Sequence, residues 1–353
     1  MRHLFLILVT LITALSAQAQ LEEKKDNPTN DNKIDFAPIP YVSYNRTYDF
    51  IFGAVPMIMY KLNARDTISP ASLSGAIGIY TTNKSWFSAV FSKFYLNEDK
   101  WRITVGAGLG TMNSQFLQSG AMHQFINFQT GADFFKLEVK RRLLEDIYGG
   151  VNYLYTNFNN EYDFETPVEE EVELQGLGLV FIWDKRDDVY YPRSGHKLLS
   201  TFTAYPKFMG NTEVSNQLTL QYNWYIPKRD NKDVWAFRAY SGFGLGDVAF
   251  NNLLVFGGTD LRGYSQGEYR GKQLLAAQTE YRYQLGKKMG LVAFAGLGSV
   301  FGSNVESNDG TVLPSIGIGY RYLAFSKQKM NVGLDLAVGK DDWGVYFRIG
   351  EAF

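Results

Sequence analysis

Catalysis and metal binding need reactive side chains in clusters, and this sequence keeps them apart. It has three histidines and no cysteine. His3 lies in a leader-like segment, while His123 and His196 stand alone, so no ligand-spaced metal set is expected. Serines are plentiful, but none sits in a spacing that marks a nucleophile with its base. The acidic run Glu169, Glu170, Glu171 and Glu173 could hold a divalent cation, but repelling like charges more often form a solvated loop, so no site is assigned to it. Gly-x-Gly-x-Gly strings at 106–110 and 242–246 fall at period two within extended segments, not in a strand-to-helix turn. Close backbone approach explains them better than phosphate binding. No catalytic residue, cofactor or metal is expected, and the protein reads as non-enzymatic.

The elements that would position any site are strands. Apolar residues recur at every second position: Leu218, Leu220, Tyr222, Trp224 and Ile226 oppose Gln217, Thr219, Gln221 and Asn223. Leu275, Ala277, Tyr281, Tyr283 and Leu285 oppose Gln278, Glu280, Arg282 and Gln284, and Val332, Leu334, Leu336 and Val338 oppose Asn331, Gly333, Asp335 and Gly339. This period excludes helix and suits strands with lipid on one side and water on the other. With Tyr 23, Phe 26, Trp 6 and Gly 34, and no apolar run of helical membrane length, the composition predicts an all-β transmembrane antiparallel β-barrel. Fifteen strands are traced from 48 onward. Bacterial barrels have an even number, so a sixteenth is expected within 113–129.

Arg2 and His3, the apolar run Leu4 to Leu15 and Ala17-Gln18-Ala19 read as a cleaved signal peptide, 1–19. Residues 20–47 read as a polar periplasmic tether and 48–353 as the barrel. Export to a bacterial outer membrane follows, with outer-membrane lipids and lipopolysaccharide as surroundings. Lys+Arg 35 against Asp+Glu 36 leaves no footprint for nucleic acid.

One irregular stretch stands out, Phe256-Gly257-Gly258-Thr259-Asp260-Leu261-Arg262-Gly263-Tyr264 in the loop 247–272, which strand parity makes extracellular. It resembles the arginine-glycine-aromatic loop motif of the BamA/TamA-like superfamily of outer-membrane insertases and secretion transporters, the bacterial surface antigens. The turn Tyr191-Pro192-Arg193-Ser194-Gly195 three strands earlier and five strands afterward match that family's order, and Gly350-Glu351-Ala352-Phe353 resembles its terminal assembly signal, with Glu351 as a polar departure.

The resemblance implies that this loop folds into the lumen, with Gly257, Gly258, Leu261, Arg262, Gly263 and Tyr264 as its motif. A lumen arginine needs a carboxylate, and Glu280 matches the family's partner. A second carboxylate, usual on the next strand, is replaced by Gly296. No room remains for periplasmic polypeptide-transport-associated domains before the barrel, so the resemblance is to the forms lacking them. The implied role is outer-membrane protein assembly or polypeptide translocation, with barrel-assembly factors or client polypeptides as partners. The first-to-last strand seam is expected around Gly53, Pro56, Phe347, Ile349 and Phe353. The alternative is a passive or substrate-selective diffusion channel lined by the inward polar residues; a third reading, a lipid-modifying barrel enzyme, would require His123 or His196.

Overall fold

A computed structural model describes residues 34–45, 48–118, 124–162, 168–248, 252–257, 260–265, 268–303, 305–326 and 329–353. The strands are β1 (Asp35–Asn45), β2 (Asp49–Tyr60), β3 (Ser72–Thr81), β4 (Trp86–Leu96), β5 (Trp101–Gln118), β6 (Gln124–Leu144), β7 (Ile147–Tyr162), β8 (Val168–Asp184) and β9 (Gly195–Tyr205). They continue as β10 (Ser215–Lys228), β11 (Asp233–Gly246), β12 (Leu254–Val255), β13 (Arg270–Gly271), β14 (Gln273–Gln284), β15 (Met289–Phe301), β16 (Leu313–Phe325), β17 (Met330–Val338) and β18 (Trp343–Ile349). All but β12 and β13 close into one antiparallel barrel of sixteen strands in chain order, β1 meeting β18; β12 and β13 pair separately within the loop.

Alternation sets the two faces. On β14 the buried Leu274, Ala276, Gln278, Glu280 and Arg282 point inward, while Leu275 and Tyr283 are exposed on the outer wall. Exposed outer aromatics gather at two heights: Phe50, Tyr80, Trp86 and Trp343 near one end, Trp101, Trp224, Trp235 and Tyr283 near the other. Such belts belong where an amphipathic ring meets a membrane interface.

The sixteenth strand is not where the sequence pointed. Residues 35–45, assigned to the tether, form β1, and 113–118 and 124–129 instead lengthen β5 and β6 into one hairpin in continuous register. Pro38 and Pro40 hide β1, because proline removes a ladder donor and argues against a central strand. The added strand also reverses the directions expected for 48–60, 72–82, 85–96 and 101–112, and the parity agrees again from 131 onward, so the loop 247–272 stays at the end opposite the start of β1 and the end of β18. The acidic run is likewise not loop: Glu169, Glu170 and Glu171 pair in β8 with Glu161, Asn160 and Asn159 of β7.

Candidate functional site: the Arg262 brace and the strand seam

Arg262 is wholly buried. Its Nη2 donates to Glu280 Oε2 at 2.8 Å and its Nη1 to Asp335 Oδ2 at 2.6 Å, and both carboxylates are as buried as the arginine. The guanidinium also lies 3.3 Å from the centroid of the Phe294 ring. A buried arginine is tolerable only when its charge is matched and its donors are used, and its planar fork can reach two carboxylates on separate strands.

The residues beside it fix the chain around the charge. Gly263 has φ +98, and a Cβ there would come within 2.8 Å of the Val338 carbonyl carbon and 2.9 Å of Gly339 N. Only glycine combines that φ with so close an approach. Gly263 N donates to Tyr346 Oη at 2.8 Å, Tyr264 Oη donates to Pro314 O at 2.5 Å, and Ser315 Oγ donates to Arg262 O. Leu261 is fully buried with Phe256, Tyr264, Leu274, Val300 and Leu313. Gly257 is buried with a positive φ of 123; Gly258 lies outside the described residues.

Sequence reasoning paired Arg262 with Glu280, and the two are in contact. Gly296 has another use: a Cβ there would strike Leu261 Cδ1, so its missing side chain is the space Leu261 fills. The second carboxylate comes from β17. Asp335 also bonds Arg321 at 2.5 Å and Arg348 at 2.6 Å, while Glu280 bonds Arg282 at 2.7 Å. Glu351, a departure in the terminal signal, completes the cluster through Arg321 at 3.1 Å and Arg282 at 3.5 Å. Asp335 stood on the polar side of the period-two pattern, which was the available signal; its partner was not readable.

The seam lies beside this brace. Between β1 and β18 a single residue pair is in register, Tyr44 with Val345. Phe50 O accepts from Thr82 N at 3.0 Å, so even-numbered residues of β2 turn their peptide groups toward β3 and odd ones toward β1. Odd pairs with odd between β1 and β2, as Gly53 with Tyr41. The peptide groups of Pro38, Pro40, Val42 and Tyr44 therefore face β18, and continuing the Tyr44 register sets Val42 opposite Phe347, Pro40 opposite Ile349 and Pro38 opposite Glu351. Two positions where the ladder would extend thus lack a donor. Rings bridge the gap instead: Tyr44 stacks on Trp343 at 4.7 Å and Tyr41 meets Phe347 edge-on at 5.3 Å.

The other expected seam residues are distributed differently. Gly53 and Pro56 belong to β2, one strand in from the seam, because β1 precedes them; Pro56 sits where the β2–β3 ladder is interrupted between Ala54 and Met57. Phe347 and Ile349 are on β18. Phe353 leaves the seam, packing on the Tyr225, Val234 and Ala236 cluster, and its carbonyl oxygen accepts from Arg282 at 2.7 Å. His196 faces outward with its ring 4.5 Å from Trp183, and His123 lies outside the described residues.

A family model, the Omp85 superfamily domain, matches residues 127–353. The chain belongs to the Omp85 superfamily. Three strands separate the 185–194 turn from the 247–272 loop of this Omp85 barrel and five follow it. Among solved structures it is similar to BamA from Haemophilus ducreyi lacking POTRA domains 1-3, with a TM-score of 0.58 at 13% identity over 90% of this chain and 70% of that one. It is also similar to CdiB from Escherichia coli (TM-score 0.61, 13% identity, 94% and 68% covered) and to CdiB from Acinetobacter baumannii (0.60, 12%, 90% and 59%), spanning less than two thirds of the last. No curated protein matches by sequence. An Omp85 barrel resides in the bacterial outer membrane, in contact with its lipids.

Proposed function

We propose that this Omp85 barrel inserts or passes polypeptide segments at the outer membrane, without covalent chemistry, by opening the β1–β18 seam, and that separate partner proteins deliver its clients. The observation that carries the reading is the seam itself, held by one registered pair and edged by Pro38 and Pro40. A strand edge without its ladder is a template for another strand, and the backbone of Phe347 and Ile349 offers one.

The Arg262 loop supplies the fixed side of the gate. It grips β14, β17 and β18 through Glu280, Asp335 and Tyr346, so the wall on the β18 side is braced while β1 is held mainly by β2. Opening then breaks one ladder pair, the hydrogen bond from Ser43 Oγ to Val345 O, two ring contacts and the packing of Phe347 and Ile349 on the Ile39 cluster.

The chain has no native cysteine, so Tyr44→Cys with Val345→Cys makes a clean test. Expressed in place of the native chain, the oxidised pair should stop accumulation of folded client proteins in the outer membrane, with reductant restoring it. Undiminished accumulation with the bond formed would overturn the reading.

A further inference from the structure

Half-way round the barrel from the seam, β8 rises beyond its neighbour β9. β7 pairs with β8 along its whole length, from Ile147 opposite Trp183 to Tyr162 opposite Val168, but β9 pairs with it only from Asp184 to Leu177. β9 ends at Tyr205, before Pro206, and Asn211 of the turn that follows closes the ladder. Asn211 Oδ1 accepts from Gln175 N and its Nδ2 donates to Gln175 O, both at 2.9 Å.

Those two bonds fix which way the peptide groups of β8 point. Asp184 N bonds Asp146 O, which leads into β7, so even residues of β8 face β7 and odd ones face the β9 side. Above Gln175 the N–H and C=O groups of Glu173, Glu171 and Glu169 therefore face an open edge, where they have no partner among the described residues.

The side chains of these residues stand on the outer face. Leu177, Leu179 and Phe181 are exposed there, and Glu173, Glu171 and Glu169 continue the same row, all exposed. A membrane span of about 9–11 residues counted from Trp183 runs out between Gln175 and Glu173, where the row changes from leucine to glutamate, so the open edge stands in water. Asn157 Nδ2 donates to Glu171 Oε1 at 3.2 Å and Gln175 Nε2 to Glu173 Oε1 at 2.6 Å. These neutral amides leave the charge uncompensated, and no lysine or arginine among the described residues forms an ion pair with the three glutamates.

We propose that this edge takes one added strand from another polypeptide, an extended cationic segment with lysine or arginine at every second position. The backbone of Glu169, Glu171 and Glu173 supplies the ladder, and carboxylates about 7 Å apart meet the cations on the outer face. A second copy of this chain does not fit, because edge-to-edge pairing would set glutamate against glutamate. Charge on an edge ordinarily discourages pairing; here it selects the sign of the partner. The inference does not rest on the seam reading, since β8 lies seven strands from β1.

The test uses the purified full chain in neutral detergent and a fluorescent nonapeptide of alternating lysine and threonine. Binding should be saturable and should slow amide exchange at Glu169, Glu171 and Glu173, while Glu170 and Val172, already in the β7 ladder, stay unchanged. Lysines opposite the glutamates also carry the ladder, so methylating their backbone nitrogens removes the donors, keeps the charge and should abolish binding. Glu169→Gln with Glu171→Gln and Glu173→Gln should weaken binding about tenfold, as three exposed ion pairs are lost; Glu98→Gln with Glu145→Gln, at the periplasmic end, should not. Heat-modifiable gel mobility confirms that each variant is folded. Equal affinity for the methylated peptide would reduce the edge to a charged surface, and no binding would leave the glutamates as guards against pairing. Exchange at the three amides unaltered by bound peptide would place it elsewhere, and protection without peptide would mean that a second copy covers the edge. Each of these results overturns the proposal.

Discussion

Asp335 lies 2.6 Å from Arg262, 73 residues away in sequence, and two strands, β15 and β16, stand between its strand β17 and the Glu280 strand β14 that shares the same guanidinium. The loop is therefore tied to both sides of a wall segment, and the ties are unequal. Asp335 answers Arg262, Arg321 and Arg348, whereas Glu280 answers Arg262 and Arg282.

Asp335→Asn should consequently be the more damaging neutralisation, since it leaves three arginines short of one buried charge. Removing one partner of a buried pair costs about 3–5 kcal/mol, and Glu280→Gln should fall toward the low end because Asp335 still holds Arg262. Urea titration of detergent-folded protein would rank them; equal midpoints would deny Asp335 its central place.

Leu261 and Gly296 should behave as one unit. Gly296→Ala forces Leu261 aside and should cost about 1–3 kcal/mol as overpacking. In Leu261→Ala with Gly296→Ala the two losses should sum to less than their parts. Strict additivity in the cycle would show that the two side chains do not share space.

At the seam, Pro38→Ala and Pro40→Ala each restore a donor facing β18. Every new ladder bond should contribute about 0.5–1.5 kcal/mol, so the double variant should unfold later and protect the Ile349 amide, opposite position 40, from exchange. Client insertion should fall as the seam tightens. Unchanged exchange on β18 would mean that the prolines do not set the ladder's end.

Outside the membrane, Asp66 ties the 61–71 turn to the β4–β5 turn. Burial would push its carboxyl up, but the Ser69 hydroxyl and the N–H groups of Ser69, Glu98 and Ile68 hold it well below the usual carboxylate range. A depressed folded pKa gives stability that is present above the unfolded value and lost as pH falls through the folded one. Protease resistance of this turn should hold at neutral pH and decline only below about pH 4; in Asp66→Ala it should be missing at neutral pH as well.

The barrel was legible because lipid and water impose opposite demands on alternate residues, as in Leu275 to Leu285, and nothing in the chain masks that rhythm between 196 and 349. Where both surroundings are aqueous the contrast disappears. Residues 113–129 and 158–172 therefore read as weak or loop-like, although β5 to β8 run through most of them. β1 was lost for a different reason: Pro38 and Pro40 are acceptable only because their peptide groups face a seam with little ladder. Arg262 and Glu280 were readable from motif and resemblance, whereas Asp335 could be seen only as an inward polar residue. Contacts across the lumen leave no local spacing to read.

The hairpins β5–β6 and β7–β8 hold 16 to 21 residues per strand, while β17 and β18, next to the seam, hold 9 and 7. About 9–11 residues cross a bilayer, so one flank of the rim stands tall and the flank at the seam is low. Anything landing from outside, whether antibody, phage or protease, touches the tall flank first. An epitope tag joined between Gln118 and Gln124 would thus report arrival at the cell surface without touching the machinery at the opposite, sunken side.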